Sequence, residues 1–141
     1  MTGLQAMQAM MAGKIPPPTM SQTLPMALVK VKTGMVVFEA TADERHLNPM
    51  GGVHGGFAAT VLDSATACAV HSALADNQSY ATIDLQVKMV RPVPKGKLIF
   101  AQGELQNLSK SLAISHATLK DEQGKLLATA TCSCLVKTHE S

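Results

Sequence analysis

At 141 residues the chain is long enough for one domain with a sizeable core, and a net charge of +2 is too slight for a nucleic-acid binder. One Tyr, three Phe and no Trp also leave no stacking platform for single strands. Apolar residues make up 46% of the chain and charged residues 16%, which suits a protein that hides part of its surface in an oligomer.

In chain order, Leu4, Met7 and Met11 recur at helical spacing and predict a short N-terminal helix docked on the body. The opening residues lack the basic start of a signal peptide, and no segment is long and apolar enough to read as a membrane span. Ile15-Pro-Pro-Pro-Thr19 is an extended linker, so residues 1–25 read as helix plus proline-rich linker and residues 26–141 as the main domain. Strands are predicted over residues 27–32 and 35–42, and a long helix from Gly55 to about residue 74. Four more strands follow, over 81–90, 98–108, 112–120 and 126–136. In the first of these Ile83, Leu85, Val87 and Met89 alternate with Thr82, Asp84, Gln86 and Lys88, the period of a half-buried strand. A single apolar helix needs a strongly curved antiparallel sheet to cover it, so the expected layout is α+β.

The chemistry concentrates in His46-Leu-Asn-Pro-Met-Gly-Gly-Val-His-Gly-Gly-Phe57 and the helix after it. Asp63 is the only Asp, Glu, Lys or Arg between Arg45 and Asp76, and a carboxylate buried in so apolar a helix points to a functional site. The competing reading is a carboxylate that caps a loop or pairs with a lysine. Gly55 and Gly56 open the helix, where unpaired N–H groups and partial positive charge suit a developing oxyanion. With Asn48 and His54 beside them, these residues have the makings of an acyl-transfer site. Gly55 and Asp63 lie about 12 Å apart along the helix axis, too far for one small carbonyl. Two helices side by side and antiparallel would bring one mouth to the other's carboxylate, hence a symmetric dimer with interfacial sites.

Cys68, Cys132 and Cys134 lack the partners of a zinc site, so no metal is expected, and their use fits a cytoplasmic protein. Cys132 and Cys134 share one strand face. His46, His71 and His116 read as structural, and His139 as part of a frayed tail. Phe57, Thr60 and Val61 are candidates to line an acyl pocket.

With Asn-Pro-Met-Gly-Gly-Val-His-Gly-Gly, Val-Leu-Asp-Ser-Ala, Ala-Thr-Ile-Asp-Leu-Gln-Val, the Arg91-Pro92 break and the ending Gly-Lys-Leu-Leu-Ala-Thr-Ala-Thr-Cys, the chain resembles the hotdog-fold thioesterases. The branch it resembles is the phenylacetate-degradation (PaaI-like) acyl-CoA thioesterases, from about residue 34 to 136. The resemblance implies a hotdog fold, dimers with a continuous sheet, often a homotetramer as a dimer of dimers, and hydrolysis of acyl-CoA without a cofactor. It implies Asp63 as the catalytic carboxylate and Gly55 as the amide that polarises the carbonyl. Asn48 and His54 would stand beside that amide, with Thr82 to orient the water. Gly56, Asp84, Arg91, Asn107, Ser109 and Lys110 are the further candidates for substrate and CoA contacts, and Lys95 and Lys97 are additional phosphate candidates. Thr82 also reads as one more β-branched strand residue, and the lysines as a solvated rim. Two other readings are kept open, a hotdog hydratase or dehydratase and a non-catalytic acyl-CoA-binding module.

Overall fold

Alanine spacing sets the architecture. In the computed structural model, which describes residues 1–140, the long helix α3 runs Gly55–His71 and buries Phe57, Ala58, Val61, Leu62, Ala65, Thr66, Ala69 and Val70. These recur every three to four residues, so they form one stripe along the helix. Before α3 come α1 (Gly3–Met11), α2 (Met20–Thr23), β1 (Met26–Lys32) and β2 (Met35–Thr41). After it come β3 (Gln78–Met89), β4 (Leu98–Leu108), β5 (Leu112–Asp121) and β6 (Leu126–Thr138). The six strands form one antiparallel sheet in the order β1-β2-β4-β5-β6-β3. Helix α3 packs against both β2 and β3, near opposite edges of the sheet, so the sheet curves around it.

The helix and sheet meet at backbone distance. Gly103 on β4 lies against the Ala65 carbonyl, where any side chain would collide with the helix backbone. Ser115 on β5 donates its hydroxyl to the Thr66 carbonyl at 2.9 Å and is fully buried. The Ser72 hydroxyl donates to the Ala69 carbonyl and accepts the Gly34 N–H, each at 2.8 Å, which ties the helix end to the β1–β2 turn. Leu62, Ile99 and Leu119 are fully buried in the core between them, each worth roughly 1.5–3 kcal/mol of transfer free energy.

The N-terminal helix lies on the body. Its first turn is closed by a capping box of Thr2 and Gln5, the Gly3 N–H donates to the Leu74 carbonyl at 3.0 Å, and Met7 is buried. The linker carries one short helix, α2, that the proline run did not announce.

Three expectations need correction. Strand β3 starts at Gln78, earlier than its alternation suggested, and carries a bulge between Thr82 and Asp84. The extra residue removes Ile83 from the half-buried row, leaving it 60% exposed. Thr82 therefore sits within 3.9 Å of the buried Cys134 sulfur, on the helix side of the sheet rather than with Gln86 and Lys88. His139 is not frayed. Its ring nitrogen lies 2.7 Å from the Ser79 hydroxyl and its backbone N–H donates to the Asn77 carbonyl.

Gly103→Ala should fold but lose about 1–3 kcal/mol, because the added methyl must push the sheet off α3. Urea unfolding followed by circular dichroism checks this.

Candidate active site

The loop before α3 is held by Asn48. Its Oδ1 accepts the N–H groups of Met50 at 3.0 Å and Gly52 at 3.1 Å, and its own N–H donates to the Gly52 carbonyl. A bridge between Leu47 and Val53 closes the loop, and Gly51 takes the left-handed conformation (φ 86°) that the turn requires. His46 anchors the base of the loop. Its Nδ1 accepts the Asp43 N–H at 2.9 Å, its Nε2 donates to the Thr23 carbonyl at 3.1 Å, and its ring rests against Phe57. His46 is thereby structural, as expected.

His54 is the N-cap of α3. Its Nδ1 accepts the Gly56 N–H at 2.8 Å, which leaves the Nε2 of a neutral ring as a donor. The two glycine amides are thus unequal. His54 takes the Gly56 N–H, while the Gly55 N–H has no partner among the described residues and stands exposed at the positive end of α3. Beside it opens a cavity of about 330 Å³ lined by His54, Gly55, Ala58, Met89, Arg91 and Val93.

Asp63 lies two turns further on. It is not enclosed within one chain, contrary to the expectation of a buried acid; its face of α3 is turned away from the sheet and is exposed. Among the described residues it makes no ion pair or side-chain hydrogen bond, so the capping and lysine-pairing alternatives do not occur. Partial desolvation raises its carboxyl above the ordinary value. Burial pushes the Cys134 thiol up to about 12, with smaller contributions from Cys132 and Asp63. Thr82 lies beside the same thiol, its hydroxyl 3.9 Å from the Cys134 sulfur.

The remaining candidates divide between two ends of the sheet. Arg91 lies at the α3 mouth, donating to the Leu126 carbonyl at 2.8 Å, and Lys95, 3.9 Å from Glu44, is on the loop that follows. Asn107, Ser109 and Lys110 lie in or beside the exposed β4–β5 turn, near the strand positions that pair with Cys134. Asp84 is exposed on β3 opposite Ser133. Val61 is fully buried in the core and cannot line a pocket, while Phe57 and Thr60 border a small cavity of about 180 Å³ with His46 and His54. Gly55 and Asp63 are fixed on the same helix about 12 Å apart along its axis, so one chain holds its free amide and its carboxylate apart.

A family model described as the thioesterase superfamily matches residues 50–128, the span that contains the α3 mouth, Asp63 and Thr82. The chain belongs to the thioesterase superfamily. Acyl-coenzyme A thioesterase 13 of Homo sapiens is 28% identical to it over 102 residues, 72% of each chain. The 1,4-dihydroxy-2-naphthoyl-CoA hydrolase of Listeria monocytogenes serotype 1/2a (strain 10403S) is 22% identical over 118 residues, 84% of this chain and 95% of that one. Among solved structures, a phenylacetic acid degradation-related protein of Ralstonia eutropha JMP134 superposes with a TM-score of 0.84 at 30% identity, over 92% of this chain and 98% of the other. The fold is the hotdog fold, and the protein is a thioester hydrolase of the phenylacetate-degradation type.

Sequence reasoning missed the surroundings of the thioesterase's carboxylate. Tyr80, His71 and Cys68 line a cavity of about 570 Å³ with α1 and the proline segment. The helical spacing of Met7 and Met11 was the available signal, but nothing in it said which face of α3 the N-terminal helix would cover. No helix is long and apolar enough to cross a membrane, and no group of three His, Cys, Asp or Glu gathers for a metal among the described residues.

Asn48→Ala should cost about 1 kcal/mol in chemical unfolding, since two loop N–H groups lose their acceptor. It should also speed amide exchange at Met50 and Gly52, measured by hydrogen–deuterium exchange.

Proposed function

We propose that this thioesterase hydrolyses acyl-CoA at two equivalent sites shared across a dimer axis. The observation that carries the reading is the pairing of a free amide with an unpartnered carboxylate on one helix, both exposed, and too far apart for one chain to use together. Strand β3 is an edge strand, and Ile83, Met89 and Val90 on or just beyond it are exposed apolar side chains. A long unpaired edge of that kind invites pairing with a second copy. An axis near Leu85 and Gln86 would set Thr82 opposite Met89 of the partner subunit, and Gly55 packs beside Met89 within each chain. Asp63 and Thr82 would then face Gly55, His54 and Asn48 of the partner subunit. Such dimers can pair further into a dimer of dimers.

In this site Asp63 acts as general base or as nucleophile. As base it takes a proton from water, oriented by Thr82, while the water oxygen bonds to the thioester carbon. The carbonyl oxygen becomes an oxyanion that accepts the Gly55 N–H, and collapse expels the CoA thiolate. As nucleophile Asp63 bonds to the carbonyl carbon and the CoA thiolate leaves, giving a mixed anhydride that water cleaves to the free acid and the regenerated carboxylate. His54 Nε2 and Asn48 flank the carbonyl. Arg91 and Lys110, with Asn107 and Ser109, supply donors for the CoA phosphates, brought together from opposite ends of two chains. That both curated relatives carry coenzyme A thioester activities in their names supports the substrate class. The free cysteines fit a reducing cytoplasm.

Asp63→Asn should lower thiol release from acyl-CoA by roughly 10²-fold or more. Because the raised carboxyl favours the protonated form in the folded state, Asp63 costs stability once pH exceeds its folded value, so the Asn variant should melt no lower than wild type at neutral pH. The acid limb of the wild-type pH–rate profile should lie above the ordinary carboxylate range, with activity rising as Asp63 ionises.

Gly55→Pro tests the amide. Position 55 opens α3, where proline is well tolerated, and His54 already has the extended backbone (φ −62°, ψ 136°) that precedes proline. The variant should fold and lose roughly 10²–10³ in kcat. Mixing Asp63→Asn and Gly55→Pro chains should restore about a quarter of wild-type activity, because each mixed dimer contains one intact site. No recovery in verified mixed dimers would reject the shared site.

A further inference from the structure

A cavity lies under the N-terminal segment, against the second half of α3. Its volume is about 570 Å³, within the roughly 300–1,000 Å³ range of small-molecule sites. Its floor is Ser64, Cys68 and His71, successive positions along one side of α3, with Tyr80 from β3 at one end. Ser64 directly follows Asp63, and Tyr80 is two residues from Thr82, so the lining neighbours both candidate residues along the chain. Its roof and outer wall are Ala6, Met7 and Met10 of α1 and the Pro16–Pro18 run, closed on the sheet side by Met26 and Leu28.

These wall residues lie outside residues 50–128, the part matched by the family model. The lining is mostly apolar, with the hydroxyls of Ser21, Ser64 and Tyr80 and the His71 ring among it. It contains no Asp, Glu, Lys or Arg among the described residues. His71, tilted 50° against Tyr80 with ring centroids 5.2 Å apart, is held toward its neutral form by burial. Methionines supply much of the wall, and flexible thioethers adapt to a flexible chain rather than to one rigid ring.

Building on the acyl-CoA reading, we propose that the segment from Ala6 to Pro18 is the specificity element of this enzyme. With α3 and Tyr80 it forms the seat of an uncharged, unbranched, medium-length acyl chain. The α1 helix is fastened over that seat by the Gly3 N–H to the Leu74 carbonyl and by the buried Met7. An acyl group ending in a carboxylate would be desolvated there without a cation to meet it.

Thiol release is measured for acetyl-, butanoyl-, octanoyl-, decanoyl- and dodecanoyl-CoA, phenylacetyl-CoA and glutaryl-CoA. For the wild type, kcat/KM should rise with chain length from butanoyl to an optimum at octanoyl or decanoyl, by up to about fourfold per buried methylene. Phenylacetyl-CoA should fall below that optimum and glutaryl-CoA below butanoyl-CoA. Met10→Trp and Ala6→Phe each fill the cavity from α1 and should lower the decanoyl-to-butanoyl ratio of kcat/KM at least about tenfold. Either variant alone suffices if the other does not fold.

A flat profile, a preference for acetyl-, phenylacetyl- or glutaryl-CoA, or an unchanged ratio in a folded filling variant would overturn the seat while leaving the thioesterase reading standing. Absence of thiol release from every substrate would instead remove the acyl-CoA reading. Calorimetric binding of decanoyl-CoA against free CoA would then decide the seat separately, with tighter binding of decanoyl-CoA to wild type than to Met10→Trp supporting it and equal binding overturning it.

Discussion

The close approach of α3 to the sheet is the constraint on which the rest depends. Alanines at 58, 65 and 69 and Gly103 on β4 allow strand and helix backbones to meet, and buried hydroxyls at Ser115 and Ser72 lock the contact. A helix seated that deeply satisfies its apolar stripe with one curved sheet. It has one further face, and that face carries the only ionisable carboxylate in the helix. The sheet cannot cover it without breaking its own curvature. Part of it is roofed by α1 and the proline segment, and the Asp63 part stays open.

Electrostatics then divides labour along the helix. The N-terminus is positive, and its exposed N–H groups compete for acceptors. His54 takes one of them, and the two glycines keep side chains out of the way, so a single donor remains unspent at Gly55. Asp63 sits far enough from that end to keep its charge from being consumed by the dipole, yet close enough to protein for its ionisation to be disfavoured. An acid held without a partner is costly structurally, and such acids concentrate at functional sites.

The bulge in β3 shows how a local irregularity redirects chemistry. Strict alternation would have put Thr82 on the face away from α3. One additional residue lets Tyr80, Thr82 and then Leu85 turn toward the helix side, so a threonine reaches Cys134 while Ile83 is left exposed. Nothing in Ala81-Thr-Ile-Asp-Leu distinguishes a bulged strand from a flat one, because β-branched residues suit both. The same limit explains the misjudged Val61, since a residue's position on a helix gives its face but not whether sheet or solvent meets that face.

The sequence by itself determined the order of the long helix and the six strands, the apolar helix with its lone Asp63, the glycine-rich mouth at Gly55 and Gly56, and the need for a curved sheet. These follow from periodicity and from the scarcity of charge, both local properties of the chain. It also yielded the separation of Gly55 from Asp63, because helix rise is a constant. Tertiary structure alone decided which glycine amide stays free, which face of α3 the N-terminal methionines roof, and that Thr82 faces Cys134 rather than sharing a face with Gln86. Those outcomes depend on where groups distant in sequence come to rest, and short-range pattern carries no record of that.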